Sequence, residues 1–268
     1  MDSGFINLNQ SKIHYLLIGK GKELIVCFHG FEEKAKTFLV LEALTSTRYT
    51  LIAIDLPAHG ETIWLEEKPL TAPALVEILE RIPALSNHKF ILLGFSMGGR
   101  VALSIYQYIP ERILQLVLLA PDGLKVNFWY WLVTQTRSGN SLFKFTMKNP
   151  GWLFGFMRML KTLRFINESV YKFSYHQMNQ PESRLRLYHI WTAMRLFRPP
   201  IRLIKLLILK NQTPLKLVYG RHDRIIKCER GEKIFHSLKN LCSIHILNCG
   251  HQVLHEHNAC EIVKILEN

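Results

Sequence analysis

Between Lys89 and Gly99 an apolar run, Phe90-Ile91-Leu92-Leu93, enters Gly94-Phe95-Ser96-Met97-Gly98-Gly99 and continues as a helical pattern from Arg100 to Tyr108. Strand, Gly-x-Ser-x-Gly, helix is a turn so sharp that the serine is held in a strained conformation with its hydroxyl clear of the sheet. Gly94 and Gly98 fit because side chains there would collide with the neighbouring strand and helix. The helix that follows aims its free N–H groups and positive dipole end at the same spot, where an oxyanion would form. A lone Gly-x-Ser-x-Gly is weak evidence. The strand before it and the helix after it turn Ser96 into a candidate nucleophile that needs a base and an acid elsewhere in the chain.

Both are present, in a definite order. Leu24 to Phe28 reads as a buried strand running into His29-Gly30-Phe31, a place for a second oxyanion donor. Leu215 to Tyr219 is another strand, followed by Gly220-Arg221-His222-Asp223, and Ser243 to Leu247 a third, followed by Asn248-Cys249-Gly250-His251. Ser96, Asp223 and His251 thus follow the order Ser…acid…His, each just past the C-terminal end of a strand, where open α/β sheets gather ligands. Asp122, after the strand at 113–120, competes with Asp223 for the acid role. His251 is preferred over His245, inside a strand, and over His255 and His257, which fall in the expected terminal helix. Strands are expected near 5–8, 12–18, 24–29, 49–54, 89–94, 113–120, 214–219 and 243–247. Helices are expected near 37–46, 72–82, 97–108, 228–238 and 252–267.

These motifs, together with Ile54-Asp55-Leu56-Pro57-Ala58-His59-Gly60, resemble the α/β-hydrolase superfamily over nearly the whole chain. Ala58 stands where that family commonly has glycine. The resemblance implies an α/β fold: a mostly parallel eight-stranded sheet flanked by helices, with a helical cap inserted after strand six. The core would then be residues 1–123 and 214–268, and the cap 124–213. It also implies roles: Ser96 as nucleophile, His251 as base, Asp223 as the acid that orients it, and the backbone N–H groups of Phe31 and Met97 as oxyanion hole. His29, Gly30 and Phe95 would border the substrate pocket, the side chains of Phe31, Phe95 and Met97 would line an apolar acyl site, and His29 would support the oxyanion loop rather than act as a base. The family hosts many reactions, so the fold does not choose one. A serine at the turn excludes members with an aspartate nucleophile. The expected activity is hydrolysis of a carboxylic ester or thioester through an acyl-enzyme. The alternative is a C–C bond hydrolase or lyase-type reaction on an anionic keto substrate. Receptor-like relatives usually lose a triad member, and this chain keeps all three. No cofactor or metal is called for, since His222 beside Asp223 has no second ligand at useful spacing.

A chain of 268 residues with 48% apolar content can bury a full core. Its start reads as a β-hairpin rather than a signal sequence, and no uncharged apolar run is long enough to span a bilayer. Five cysteines, odd in number and without a Cys-x-x-Cys pair, read as reduced thiols, so a cytoplasmic location is expected. The segment 124–213 shows helical periodicity only, as in Trp152, Phe156, Leu160 and Leu163 or Leu187, Ile190, Trp191 and Met194. It carries 15 Lys/Arg against 2 Asp/Glu, a net +13, while the remainder has 19 of each. It also holds Trp129, Trp131, Trp152 and Trp191, four of the five tryptophans. A basic, aromatic segment suits a small-molecule ester that is anionic or lipid-like, or peripheral contact with anionic lipid, unless its charges only solvate one face. Nucleic acid is not expected, because no recognition motif accompanies the charge. The sequence implies no oligomeric state.

Overall fold

A computed structural model of the protein describes residues 1–124, 128–163, 171, 175 and 178–267. Eight strands form one sheet in the order β1-β2-β4-β3-β5-β6-β7-β8. They are β1 (Asp2–Leu8), β2 (Ser11–Ile18), β3 (Glu23–Phe28), β4 (Tyr49–Ile54), β5 (Phe90–Phe95), β6 (Ile113–Leu119), β7 (Leu215–Gly220) and β8 (Cys242–Leu247). The first hairpin is antiparallel, β2 joins β4 antiparallel, and all pairings from β4 to β8 are parallel.

The central strands are continuous apolar runs because helices cover both faces of a parallel sheet. Every residue of β5 and β7 is buried, whereas β1 and β8 at the edges alternate between covered and open positions. Registers align the ends of the parallel strands. Phe28 lies opposite Gly94, Phe95 opposite Leu119, and Gly220 opposite Leu247. The loops after β3, β5, β6, β7 and β8 therefore leave the sheet along one edge, at which Ser96, Asp122, Asp223 and His251 all arise.

The contacts of the chain divide it into two units, Met1–Lys125 with Leu196–Asn268, and Val126–Arg195. The first contains the whole sheet. It also contains the helix Ile201–Asn211, which lies within the segment 124–213 expected as the insertion. That helix buries Ile204 and Ile208, and Lys205 donates to the carbonyl of Ile234, so it packs as a covering helix of the sheet unit. The terminal helix begins at Ala259 rather than near residue 252. Val253 and Leu254 are drawn into the core, and the Asn258 amide donates to the Val253 carbonyl, holding an irregular turn ahead of the helix. His255 consequently precedes the helix, and His257 lies in a short 3-10 turn.

The described elements of the second unit are helices: Phe128–Gln135, Arg137–Lys148, Gly151–Thr162 and Pro181–Ala193. Its interior gathers Phe143 against Tyr188 and Trp191, each with ring centroids 5.5 Å apart. Arg184 is buried, donating from Nε to the Met147 carbonyl and from its guanidinium to Met178 and Asn179, so this cation caps a helix end and does not face water. Trp152 and Phe156, whose spacing reads as a packing stripe, are exposed. Arg164 and the side chain of Trp129 lie outside the described residues.

The helix Met97–Tyr106 is buried at every position and runs back beneath the strands from which Ser96 emerges. A Cβ on Gly98 would overlap the carbonyl of Phe28, and one on Gly94 would approach the carbonyl of Gly98 to 2.5 Å. Backbone cannot yield as a side-chain tip can. Gly98→Ala is therefore expected to destabilise the protein by about 3 kcal/mol or more, read as a shift in urea midpoint. A midpoint equal to wild type would show that strand and helix are not in this close contact.

Candidate functional site

Ser96 has φ +49° and ψ −112°, a backbone conformation rare for a residue with a Cβ. The turn is held on both sides. Ser96 N–H donates to the Leu119 carbonyl on β6, and the Ser96 carbonyl accepts from Gly99 and Asp122 N–H, each at 2.9 Å. Fixed this way, Ser96 Oγ sits 3.0 Å from His251 Nε2. His251 Nδ1 lies 2.7 Å from Asp223 Oδ2, and the other carboxylate oxygen accepts from the N–H groups of Ile225 at 2.7 Å and Ile226 at 2.9 Å.

A carboxylate can only accept, so the proton between His251 and Asp223 is on Nδ1. Nε2 is left with a lone pair directed at the serine hydroxyl, the arrangement a base requires. The Asp223 side chain is fully buried, which strengthens its pull on the imidazole in a poorly screened setting. Strand pairing carries these residues together. Arg221 N–H donates to the Leu247 carbonyl and His222 N–H to the Cys249 carbonyl, extending the β7–β8 ladder into the two loops. Asp122, the competing acid, is engaged elsewhere: its Oδ1 accepts from Gly123 N–H, and its Oδ2 lies 3.6 Å from the Arg100 guanidinium.

Met97 is the first residue of its helix, so its N–H has no acceptor within that helix. Phe31 lies in the loop after β3. Phe95 is buried with its ring 5.7 Å from that of His251, and a Cβ on Gly30 would meet the Phe95 ring at 3.1 Å. His29 does not border a pocket as expected. It is fully buried, with Nδ1 2.7 Å from the Gly30 carbonyl and Nε2 accepting from Leu56 N–H, because its ring fills the space behind the loop. Burial, with a smaller contribution from the neighbouring His59, lowers its pKa to about 3. His222 Nε2 pairs with Asn248 Oδ1 at 3.1 Å. Among the described residues no group of three or more His, Cys, Asp or Glu side chains is placed to hold a metal.

Two carboxylates complete the support of this loop, and neither role is visible in the sequence. Asp55 accepts from Ala35 N–H, from Glu61 N–H and from His14. Burial pushes its pKa up, but these hydrogen bonds outweigh burial and hold it below the ordinary value. Ala58 has φ +64°, the left-handed region that explains glycine's frequency there, and the glycine at 60 leaves room for the Asp55 carboxylate. Glu33 is half-buried. It accepts from Gly30 N–H at 3.2 Å and from the Gln252 amide at 2.6 Å, bridging the loop after β3 to the residue following His251. Burial raises its pKa despite those two donors and the nearby His251. The only signals are positional: Glu33 lies just past the loop, and Asp55 stands in the segment Ile54–Gly60 after β4.

The buried His29 makes a prediction with a definite sign. Its pKa is about 3 when folded against 6.5 ordinarily, so below 6.5 the unfolded chain binds a proton that the folded one does not. Its contribution to stability is complete above 6.5 and declines as pH falls towards 3, by about 1.4 kcal/mol per pH unit. Urea titrations should show His29→Asn losing stability less steeply with acid than wild type. Equal slopes would mean that His29 is protonated in the folded protein.

With this geometry in view, comparison with known proteins is informative. The model of a family described as the alpha/beta hydrolase family matches residues 25–265. An uncharacterized hydrolase of Bacillus subtilis, YugF, is 27% identical over 253 residues, covering 88% of this chain and 86% of that protein. A second Bacillus subtilis protein, provisionally named 2-succinyl-6-hydroxy-2,4-cyclohexadiene-1-carboxylate synthase, is 36% identical over 134 residues, 46% of this chain and 47% of its own length. Among solved structures, a thermophilic esterase from Thermogutta terrifontis superposes with a TM-score of 0.70 at 17% identity, covering 100% of this chain and 97% of that one.

Proposed function

Since this chain belongs to the alpha/beta hydrolase family, we propose that it is a serine hydrolase that cleaves a carboxylic ester or thioester with an apolar acyl group. The observation that carries this reading is the unbroken hydrogen-bond chain from Ser96 Oγ to His251 at 3.0 Å and from His251 to Asp223 at 2.7 Å, on a strained turn. Ser96 Oγ attacks the acyl carbon while His251 Nε2 takes its proton. The backbone N–H groups of Phe31 and Met97 hold the oxyanion of the tetrahedral intermediate. His251 then protonates the departing alcohol or thiol, leaving an acyl-Ser96. Water, deprotonated by His251, attacks that ester and restores the serine. Asp223 keeps the imidazole in its tautomer and stabilises the imidazolium that forms twice per cycle. One oxyanion donor contributes on the order of 10²–10³ in rate.

Residues 124–213, with 15 basic and 2 acidic residues, support a substrate that is anionic or lipid-like, or contact with anionic lipid. In this reading Val126–Arg195 is the body of the family's inserted cap. No described helix is long and apolar enough to cross a membrane, and all five cysteines are free thiols, which supports a reducing compartment such as the cytoplasm.

The second reading, C–C bond cleavage or elimination on an anionic keto substrate, is favoured by the partial similarity to the provisionally named synthase. The same Ser96–His251 pair would then move protons beside a ketone. Turnover of nitrophenyl esters of graded chain length separates the two. The ester reading expects hydrolysis of this series, with Asp223→Asn lowering turnover by about 10⁴-fold and Asp122→Asn changing it little. No ester turnover at any chain length would remove it, and collapse in Asp122→Asn alone would transfer the acid role.

A further inference from the structure

The helix Gly151–Thr162 is amphipathic in the reverse of the usual sense. Its inner face carries Phe154, packed on Tyr175 at 4.8 Å between ring centroids, and Lys161, whose ammonium lies 4.9 Å over the ring of Tyr171. The other face presents Trp152, Phe156, Met159 and, just past the helix end, Leu163, spaced four, three and four residues apart so that they form one stripe. All four are 46–57% exposed, and no residue of the helix is fully buried. The preceding helix, Arg137–Lys148, repeats the pattern with a charge added. Leu142 and Phe145 are more than half exposed, and Lys144 and Lys148 are exposed as well. Isolated exposed apolar residues need no explanation, but a stripe of four along one helix, with two more exposed on the helix before it, does.

We propose that Val126–Arg195 is an interfacial docking unit, whose Trp152–Leu163 stripe inserts among the acyl chains of an anionic lipid surface while Lys144 and Lys148 engage the headgroups. The occupant is chosen by charge. The unit holds 10 Lys/Arg against 2 Asp/Glu, a net +8, so a second copy would set like charges against one another, whereas an anionic surface would complement them. Trp and Phe beside cationic residues are the composition of helices that lie in the interfacial plane of a membrane. Docking goes beyond the hydrolase reading and does not depend on it.

Co-sedimentation tests the proposal, using the full-length protein with vesicles of phosphatidylcholine alone or of equimolar phosphatidylcholine and phosphatidylglycerol. Wild type and Ser96→Ala should both bind the anionic vesicles about tenfold more strongly, and the preference should fade with added salt. The double variant Trp152→Ser/Phe156→Ser should lose about tenfold in binding to anionic vesicles, with hydrolysis of a water-soluble ester unchanged. Lys144→Glu/Lys148→Glu, which leaves the stripe intact, should abolish the preference for the anionic composition. Equal binding to the two compositions would overturn the proposal, as would full binding by the stripe variant. So would a dimer of the wild type, seen by sedimentation velocity, that the stripe variant dissociates, because a second copy would then be the occupant. Binding is read without turnover, so its failure leaves the catalytic reading intact, and an inactive protein that still docks leaves this one intact.

Discussion

The short contact between the buried helix Met97–Tyr106 and the end of β3, made possible by Gly94 and Gly98, sets the geometry of everything at the sheet's C-terminal edge. It forces the chain to reverse within one residue, leaving Ser96 at φ +49°. Such a conformation costs on the order of 1–3 kcal/mol and persists only where surrounding structure over-determines it. Here the ladder to Leu119, the bonds from Gly99 and Asp122, and the burial of the whole following helix supply that constraint. The strain has a chemical consequence. It lifts the hydroxyl out of the sheet to 3.0 Å from His251 Nε2, at the point where the helix begins at Met97.

Around that turn the protein distributes its buried polar groups in two layers. The outer layer is the Ser96–His251–Asp223 chain, in which a carboxylate with three accepted hydrogen bonds fixes one tautomer of one imidazole. The layer behind it is made of His29, Asp55 and His14, with Glu33 at its rim, and these hold the loop after β3 from beneath. Asp55 and Glu33 show how environment divides two similar acids. Asp55 has backbone donors strong enough to keep it ionised in spite of burial, while Glu33 is shifted the other way. Glu33 bridges the loop after β3 to Gln252, and so ties the residue before Phe31 to the residue after His251. The loop after β3 is thus held by side chains outside the Ser96–His251–Asp223 chain.

Much of this was legible before any coordinates, for physical reasons that differ from element to element. Parallel strands buried on both faces are unbroken apolar runs, so the central strands β3 to β7 are legible to within a few residues. The Gly-x-Ser-x-Gly turn and the residues after β7 and β8 were legible because sharp turns and strand ends constrain residue type. The rest depends on contacts distant in sequence. Helical periodicity says that Ile204 and Ile208 share a face, but not which unit receives it, so the helix Ile201–Asn211 was placed with the wrong neighbours. The same periodicity marks Trp152 and Phe156 as a stripe without revealing that the stripe faces outwards. His29 is legible as a support of the loop it adjoins, but its partner, Leu56 N–H 27 residues away, is not. A charge count treats Arg184 as surface, though it is buried against helix-end carbonyls.

The central claim is that Ser96 alone, among the hydroxyls of this chain, is made nucleophilic by the His251–Asp223 pair. A fluorophosphonate forms a stable phosphonyl ester with such a serine, and peptide mass spectrometry locates the adduct. The account predicts a single adduct on the peptide containing Ser96, absent in Ser96→Ala and formed far more slowly in His251→Ala, while Asp122→Asn labels at the wild-type rate. Labelling of Ser96→Ala at the wild-type rate, or an adduct mapped to another residue, would contradict it.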